Sequence, residues 1–207
     1  MVKMDSMIIT TTRYNQNNRG FTLVEVMVAA TIGSFVLAGV LTAFLMLTRS
    51  ATNAANYSMM ETQSRKALEE LGQDLRMAKD ATWNSATSIT LQIPDNYTST
   101  GNLVTYAYQV SGGTGQFYRM PGAASAANTK TVLVRNVAPD FAFSRFDRIG
   151  APLSSTVPGA AASALALNIQ TKRIQLYMTV RSTSKTVVAA TNTILSASFI
   201  LRNKLTS

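Results

Sequence analysis

The 207-residue chain contains neither cysteine nor histidine. Without cysteine there is no disulfide framework and no thiol nucleophile. Without histidine the commonest general base and the commonest zinc ligand are missing, which sets back hydrolytic and metal-dependent chemistry before any motif is sought. Charge is scarce as well: charged residues make up 14% of the chain, against a usual share of about 25%. Ser, Thr, Asn, Gln and Ala take their place, a composition that suits an exported protein. The few charges lean one way, 19 Lys and Arg against 10 Asp and Glu, for a net charge of +9. Such a chain attracts nucleic acid, anionic lipid or an acidic partner without specificity.

Motifs for catalysis are missing too. No G-x-S-x-G elbow occurs, and a triad that needs histidine is impossible. Asp95, Asp140 and Asp147 show no spacing that suggests a carboxylate pair or a metal site, and the last two read as residues that bound strands or cap turns. Gly112-Gly113-Thr114-Gly115 lacks the Lys-Ser/Thr that follows a phosphate loop, and reads as a hairpin turn. No catalytic residue, cofactor or metal is expected, and the chain does not read as an enzyme.

What is present is one long apolar run. Phe21 to Leu47, about 27 residues with Glu25 as the single ionisable group, is long enough as a helix to cross a bilayer core. Lys3, Arg13 and Arg19 precede it against a lone Asp5, and Arg49 follows it. The positive-inside rule then puts the N-terminus in the cytoplasm and the C-terminal region outside. A secretory signal peptide has an apolar region of only about 7 to 15 residues, so this run is too long for one. A carboxylate inside the run costs a few kcal/mol on insertion scales, which makes Glu25 a functional-site candidate with a cation as its natural partner. Small residues (Ala29, Ala30, Gly33, Ala38, Gly39 and Ala43) allow close helix approach in lipid. A plain membrane anchor, with Glu25 near the headgroups, accounts for the same run.

The junction Arg19-Gly20-Phe21-Thr22-Leu23-Val24-Glu25 separates these readings. A short basic leader ending in glycine, followed by Phe-Thr-Leu-Val-Glu and an apolar helix, resembles the prepilin signal of the type IV pilin and type II secretion pseudopilin superfamily. The resemblance implies cleavage between Gly20 and Phe21 by a membrane-embedded prepilin peptidase and N-methylation of Phe21. It further implies pairing of Glu25 with the Phe21 ammonium of a neighbouring subunit as helices bundle into a filament. It places the protein in the bacterial inner membrane as a single-pass subunit with a periplasmic or otherwise extracytoplasmic domain.

Beyond the apolar run, Tyr57, Met60, Ser64, Ala67 or Leu68, Leu71, Leu75 and Ala78 recur at three- and four-residue steps. The opposite face carries Glu61, Arg65, Lys66, Glu69, Glu70, Asp74, Arg76, Lys79 and Asp80, and reads as solvated. The spacing predicts one helix from about Phe21 to Ala81. After Trp83 the pattern changes to alternating segments that predict strands at Ser88–Ile93, Leu103–Val110, Gln116–Met120, Thr131–Val137, Phe141–Phe146, Lys172–Arg181 and Thr186–Leu201. Gly150 to Ala166 reads as a long surface loop, with room for one short helical turn. The expected architecture is α+β: a leader over residues 1–20, a membrane or filament-core helix over 21–48, its amphipathic continuation over 49–82, and an antiparallel β-domain over 83–207 on which the helix packs.

Val137 to Asp147, the basic strand at Lys172 to Arg181 and Phe199-Ile200-Leu201-Arg202-Asn203 are similar to the ending of W-type minor pilins and J-type pseudopilins. The resemblance implies a structural subunit, of the minor class, in a type IV pilus or a type II secretion pseudopilus, with other pilin or pseudopilin subunits as partners. Two other readings stay open. Arg119, Lys130, Arg135, Arg145, Arg148, Lys172, Arg173, Arg181 and Lys185 offer contacts to DNA phosphates or to a secreted substrate, or else form a scattered solvated surface. A single-pass protein with an outer binding domain, never cut at Gly20, is the other.

Overall fold

A computed structural model describes residues 20–94, 102–155, 161–181, 192–202 and 204. The leader apart from Gly20, Asp95, Lys185 and the start of the last expected strand lie outside the described residues. The chain divides into two compact units at Arg49 and Ser50.

The first unit is helical. Helix α1 spans Leu23–Met77, 55 residues without a proline. From Leu23 to Arg49 every residue of it is exposed, and it is long and apolar enough to cross a membrane. Its Thr and Ser side chains do not break it, because Thr31, Ser34 and Thr42 turn their hydroxyls back onto the carbonyls of Met27, Ala30 and Ala38 at 2.6–2.8 Å.

The second unit holds the rest of α1 and one antiparallel sheet. Its strands are β1 (Asp80–Ser85), β2 (Ser88–Ile93), β3 (Asn102–Ser111), β4 (Thr114–Pro121), β5 (Thr131–Val137), β6 (Ala142–Phe146), β7 (Pro152–Leu153), β8 (Arg173–Arg181) and β9 (Asn192–Ile200). They run in the order β1-β2-β3-β4-β5-β8-β6-β7, with β9 added to β8. β9 pairs with all of β8 on one edge. The other edge is shared, with β6 on residues 173–177 and β5 touching Val180 through Val137. Gly112 and Gly113, with φ of 58° and 75°, form the two-residue turn between β3 and β4. Both angles are ones that glycine adopts freely and that suit the twist of a hairpin.

Strand periodicity fixes the core. Ile174, Leu176, Met178 and Val180 alternate along β8 and are buried, as are Ile89, Leu91, Tyr106, Phe117 and Phe143. Against them α1 sets Met60, Ala67, Leu71 and Leu75. Phe117, Phe141 and Phe143 meet at centroid distances of 5.1–6.3 Å, and Tyr108 stacks on Phe141 at 5.3 Å, contacts that add to area burial.

The α+β expectation matches this architecture, and four details differ from the sequence reading. The helix ends at Met77, not near Ala81, and Asp80 already opens β1. Ala78 and Ala81 are both buried, so they extend the helical spacing of Leu71 and Leu75 although the backbone has become extended. The expected loop from Gly150 to Ala166 contains β7 and the start of a second helix, α2 (Ala161–Gln170); its Ala- and Leu-rich stretch has high helix propensity. Tyr57, placed on the buried stripe, is 48% exposed. Asp74, placed on the solvated face, is buried.

Candidate functional site

Gly20 and Phe21 precede the helix, and Phe21 is 86% exposed. Thr22 is the N-cap, its carbonyl accepting the first helical hydrogen bond from the Val26 amide at 3.2 Å. The carboxylate of Glu25 reaches back to it: Oε2 accepts from the Thr22 amide at 2.9 Å and from its hydroxyl at 3.0 Å, while the Glu25 amide donates to Thr22 Oγ1 at 3.3 Å. This is a capping box, in which Thr and Glu three residues apart satisfy amide donors that a helix start leaves without partners. Thr-x-x-Glu ahead of an apolar run is a readable signal, and sequence reasoning missed it because the same letters belong to the prepilin motif. The carboxylate also sits at the positive end of the helix dipole. Gly20–Phe21 thus lies just outside a helix whose start is pinned by Glu25, as an exposed, non-helical peptide.

Among the described residues, the basic side chains named above do not form one surface. Arg119 is taken up by α1: its Nε lies 3.1 Å from Asp74 Oδ2 and 3.2 Å from Glu70 Oε1. Tyr106 Oη donates to the same Asp74 oxygen at 2.6 Å and lies 3.2 Å from Arg119 Nε. Burial first, and then the neighbouring Asp74 carboxylate, push the Tyr106 phenol far above its ordinary range. Burial works against the Arg119 charge, yet Tyr106 and Asp74 together hold its guanidinium above its usual value. The cluster ties helix to sheet. Asp74 was expected in solvent because of its charge, although three residues after Leu71 and four before Ala78 it falls on the buried stripe of α1.

Arg145 is 1% exposed. Its Nε donates to the Ser154 carbonyl at 2.6 Å, its Nη1 to Asn168 Oδ1 at 3.3 Å, and its guanidinium lies 4.9 Å from the Trp83 ring centroid. Burial lowers its pKa. The same corner receives Lys204, whose ammonium sits 3.0 Å from Asp80 Oδ1 and donates to the Asn168 carbonyl. The Lys204 carbonyl accepts from Lys172 Nζ. Burial pushes the Lys204 ammonium below its ordinary value, with Asp80 opposing. Arg145 and Lys204 therefore fasten β6, α2, β1 and the C-terminal segment together. Lys130 bonds Gln109 Oε1 at 2.7 Å and covers the Tyr118 ring at 4.7 Å. Arg148, Lys172 and Arg173 do converge, with Arg202, on one cleft. Asp147 turns the chain there by accepting the amides of Ile149, Gly150 and Ala151 at 2.7–2.9 Å, and Asp140 accepts from Thr179 Oγ1 at 2.6 Å. Both aspartates are thus the turn and strand-end residues the sequence suggested. No group of three or more His, Cys, Asp or Glu that would hold a metal occurs among the described residues.

The prokaryotic N-terminal methylation motif matches residues 15–41, a span that holds Gly20, Phe21 and Glu25 and the first turns of α1. No curated protein matches the chain. The matched motif and the long apolar helix that begins inside it support the type IV pilin and pseudopilin family.

Proposed function

We propose that the chain is a minor structural subunit of a type IV pilus or a type II secretion pseudopilus, made as a precursor in the bacterial inner membrane. A family of this kind is structural rather than enzymatic, and its motif implies processing by a prepilin peptidase and assembly with other pilins. In this reading the N-terminus is cytoplasmic and the domain from Ser50 onward is extracytoplasmic. The peptidase cuts between Gly20 and Phe21, and Phe21 is N-methylated. The observation that carries the reading is the junction itself: an exposed peptide at Gly20–Phe21, just ahead of the cap that Glu25 completes, opens a helix whose first 27 residues are all exposed. A stretch that is apolar on all sides needs lipid or other helices around it.

Cleavage creates a new ammonium at Phe21, one residue before the cap. Glu25 then has two roles in succession. It first holds Thr22 and starts the helix; in the filament it neutralises the Phe21 ammonium of a neighbour, so that neither charge stays unpaired in an apolar bundle. The test is Glu25→Gln. The amide keeps its size and still accepts from Thr22, so the protein is expected to reach the membrane and lose its leader but to be absent from sheared filaments or from cross-linked subunit complexes. Incorporation of Glu25→Gln at the unmodified level would remove the charge pairing from the account.

A further inference from the structure

Four basic side chains gather at the cleft between the turn after β6, the start of β8 and the end of β9. We propose that it is a binding site for a phosphate group. Its volume is about 480 Å³, and Arg148, Lys172, Arg173 and Arg202 line it together with the single acid Asp147. The ion pairs of the described residues involve Arg65, Arg119 and Lys204 only, so the four cations of the cleft have no acidic partner there. Asp147 forms no ion pair with them, its Oδ1 accepting three amides of the turn that carries Arg148 into the cleft, and one carboxylate leaves the four cations in surplus. Gly150, at φ 95°, allows that turn.

Clustering four like charges is unfavourable unless something compensates it, and a chain with so few charged residues had ample neutral alternatives. Arg173 is the best prepared of the four. Its guanidinium carbon lies over Phe146, 4.4 Å from the ring centroid, a contact that limits its freedom before a ligand arrives. Its Nε is buried without a hydrogen-bond partner, a donor whose desolvation is already incurred and which gains when an anion approaches. Guanidinium forks match the oxygens of phosphate, and a multiply charged tetrahedral anion uses several donors where a lone carboxylate satisfies one or two. The exposed Ile149 and Ile200 on the rim leave room for apolar surface next to the anion. The site is independent of the filament reading, because it requires neither cleavage nor assembly.

The phosphate has two chemical sources, a free phosphate or the phosphodiester of a single nucleic acid strand, and one titration separates them. Full-length protein in a maltoside detergent, which contains no phosphorus, is titrated by calorimetry and phosphorus NMR with inorganic pyrophosphate and with a short thymidine oligonucleotide. Saturable binding is expected, and Arg148→Gln/Arg202→Gln, both at exposed positions, is expected to weaken it by roughly tenfold or more. The control Arg135→Gln/Arg181→Gln, which removes equal charge elsewhere, is expected to stay within about twofold of the unmodified protein. Binding of pyrophosphate alone identifies a free phosphate as the ligand; binding of both, with the same variant dependence, identifies the phosphodiester. Absence of saturable binding to either probe, or an equal loss in the control variant, overturns the site.

Discussion

Two stretches of the same helix have opposite relations to the rest of the chain. From Leu23 to Arg49 α1 is apolar on every side and wholly exposed; from Met60 to Leu75 it is amphipathic and buries Met60, Ser64, Ala67, Leu71, Gly72, Asp74 and Leu75. The more hydrophobic stretch is the one that buries nothing. Hydrophobicity therefore does not identify the core of this chain, whereas its arrangement does: a stripe finds its partner within the chain, and an all-round apolar surface finds it outside. The difference matches a division of labour, in which the second stretch stabilises the domain and the first serves membrane and assembly.

Substitutions sharpen that contrast. Leu71→Ala removes a fully buried side chain and is expected to destabilise the domain by about 4 kcal/mol, while Val36→Ala, at an exposed position in the first stretch, leaves the domain's denaturation midpoint unchanged. A midpoint shift of similar size in both would erase the distinction. Gly115→Ala comes next, because an added Cβ would lie 2.0 Å from the Val137 carbonyl oxygen. Backbone has to move there, at about 3 kcal/mol, visible in the same denaturation experiment.

Tyr106→Phe is expected to cost about 1 kcal/mol at neutral pH, since it leaves Asp74 with Arg119 but one donor fewer. Its pH dependence is more telling. The folded Tyr106 holds its proton above 10.0, the ordinary value at which the unfolded phenol loses it. Folded chains then bind more protons than unfolded ones, so stability is full below about pH 10 and falls as pH rises through and beyond it. Phe at this position should flatten that alkaline fall in thermal melts; an unaltered fall would place its cause elsewhere. The smallest effect is expected for Glu61→Ala, whose pair with Arg65 at 2.6 Å is largely exposed and contributes under about 0.5 kcal/mol.

The same contrast explains which parts of the molecule were legible in the sequence. β2, β5 and β8 are runs rich in Ile, Val, Leu and Thr bounded by turn residues, so those strands were read nearly residue for residue, and the Gly112-Gly113 turn followed from its glycines, which adopt positive φ. The helix end was not, because Ala78 and Ala81 keep a three-residue spacing into a strand. Helix α2 escaped because alanine-rich segments flanked by Gly, Pro and Ser have no hydrophobic period to read. Charged residues were the least legible. Asp74 and Arg145 hold buried positions of the helical stripe and of the Phe141-Phe143 alternation, but their charge reads as surface, and the partners that permit burial, Tyr106, Arg119 and the Ser154 carbonyl, are named by no local pattern. The N-terminal motif was visible, since its chemistry depends on adjacent residues; its second role as a capping box was hidden by the first.

The central claim is that Gly20–Phe21 is cut to release the helix for assembly. Intact mass of the protein extracted from its native membrane, with and without the prepilin peptidase, tests it most directly. The account predicts a chain beginning at N-methylated Phe21 when the peptidase is present and the full precursor when it is absent. Retention of residues 1–20 in both strains would contradict it, leaving Glu25 as a helix cap without a partner ammonium and the first stretch of α1 as a plain membrane anchor.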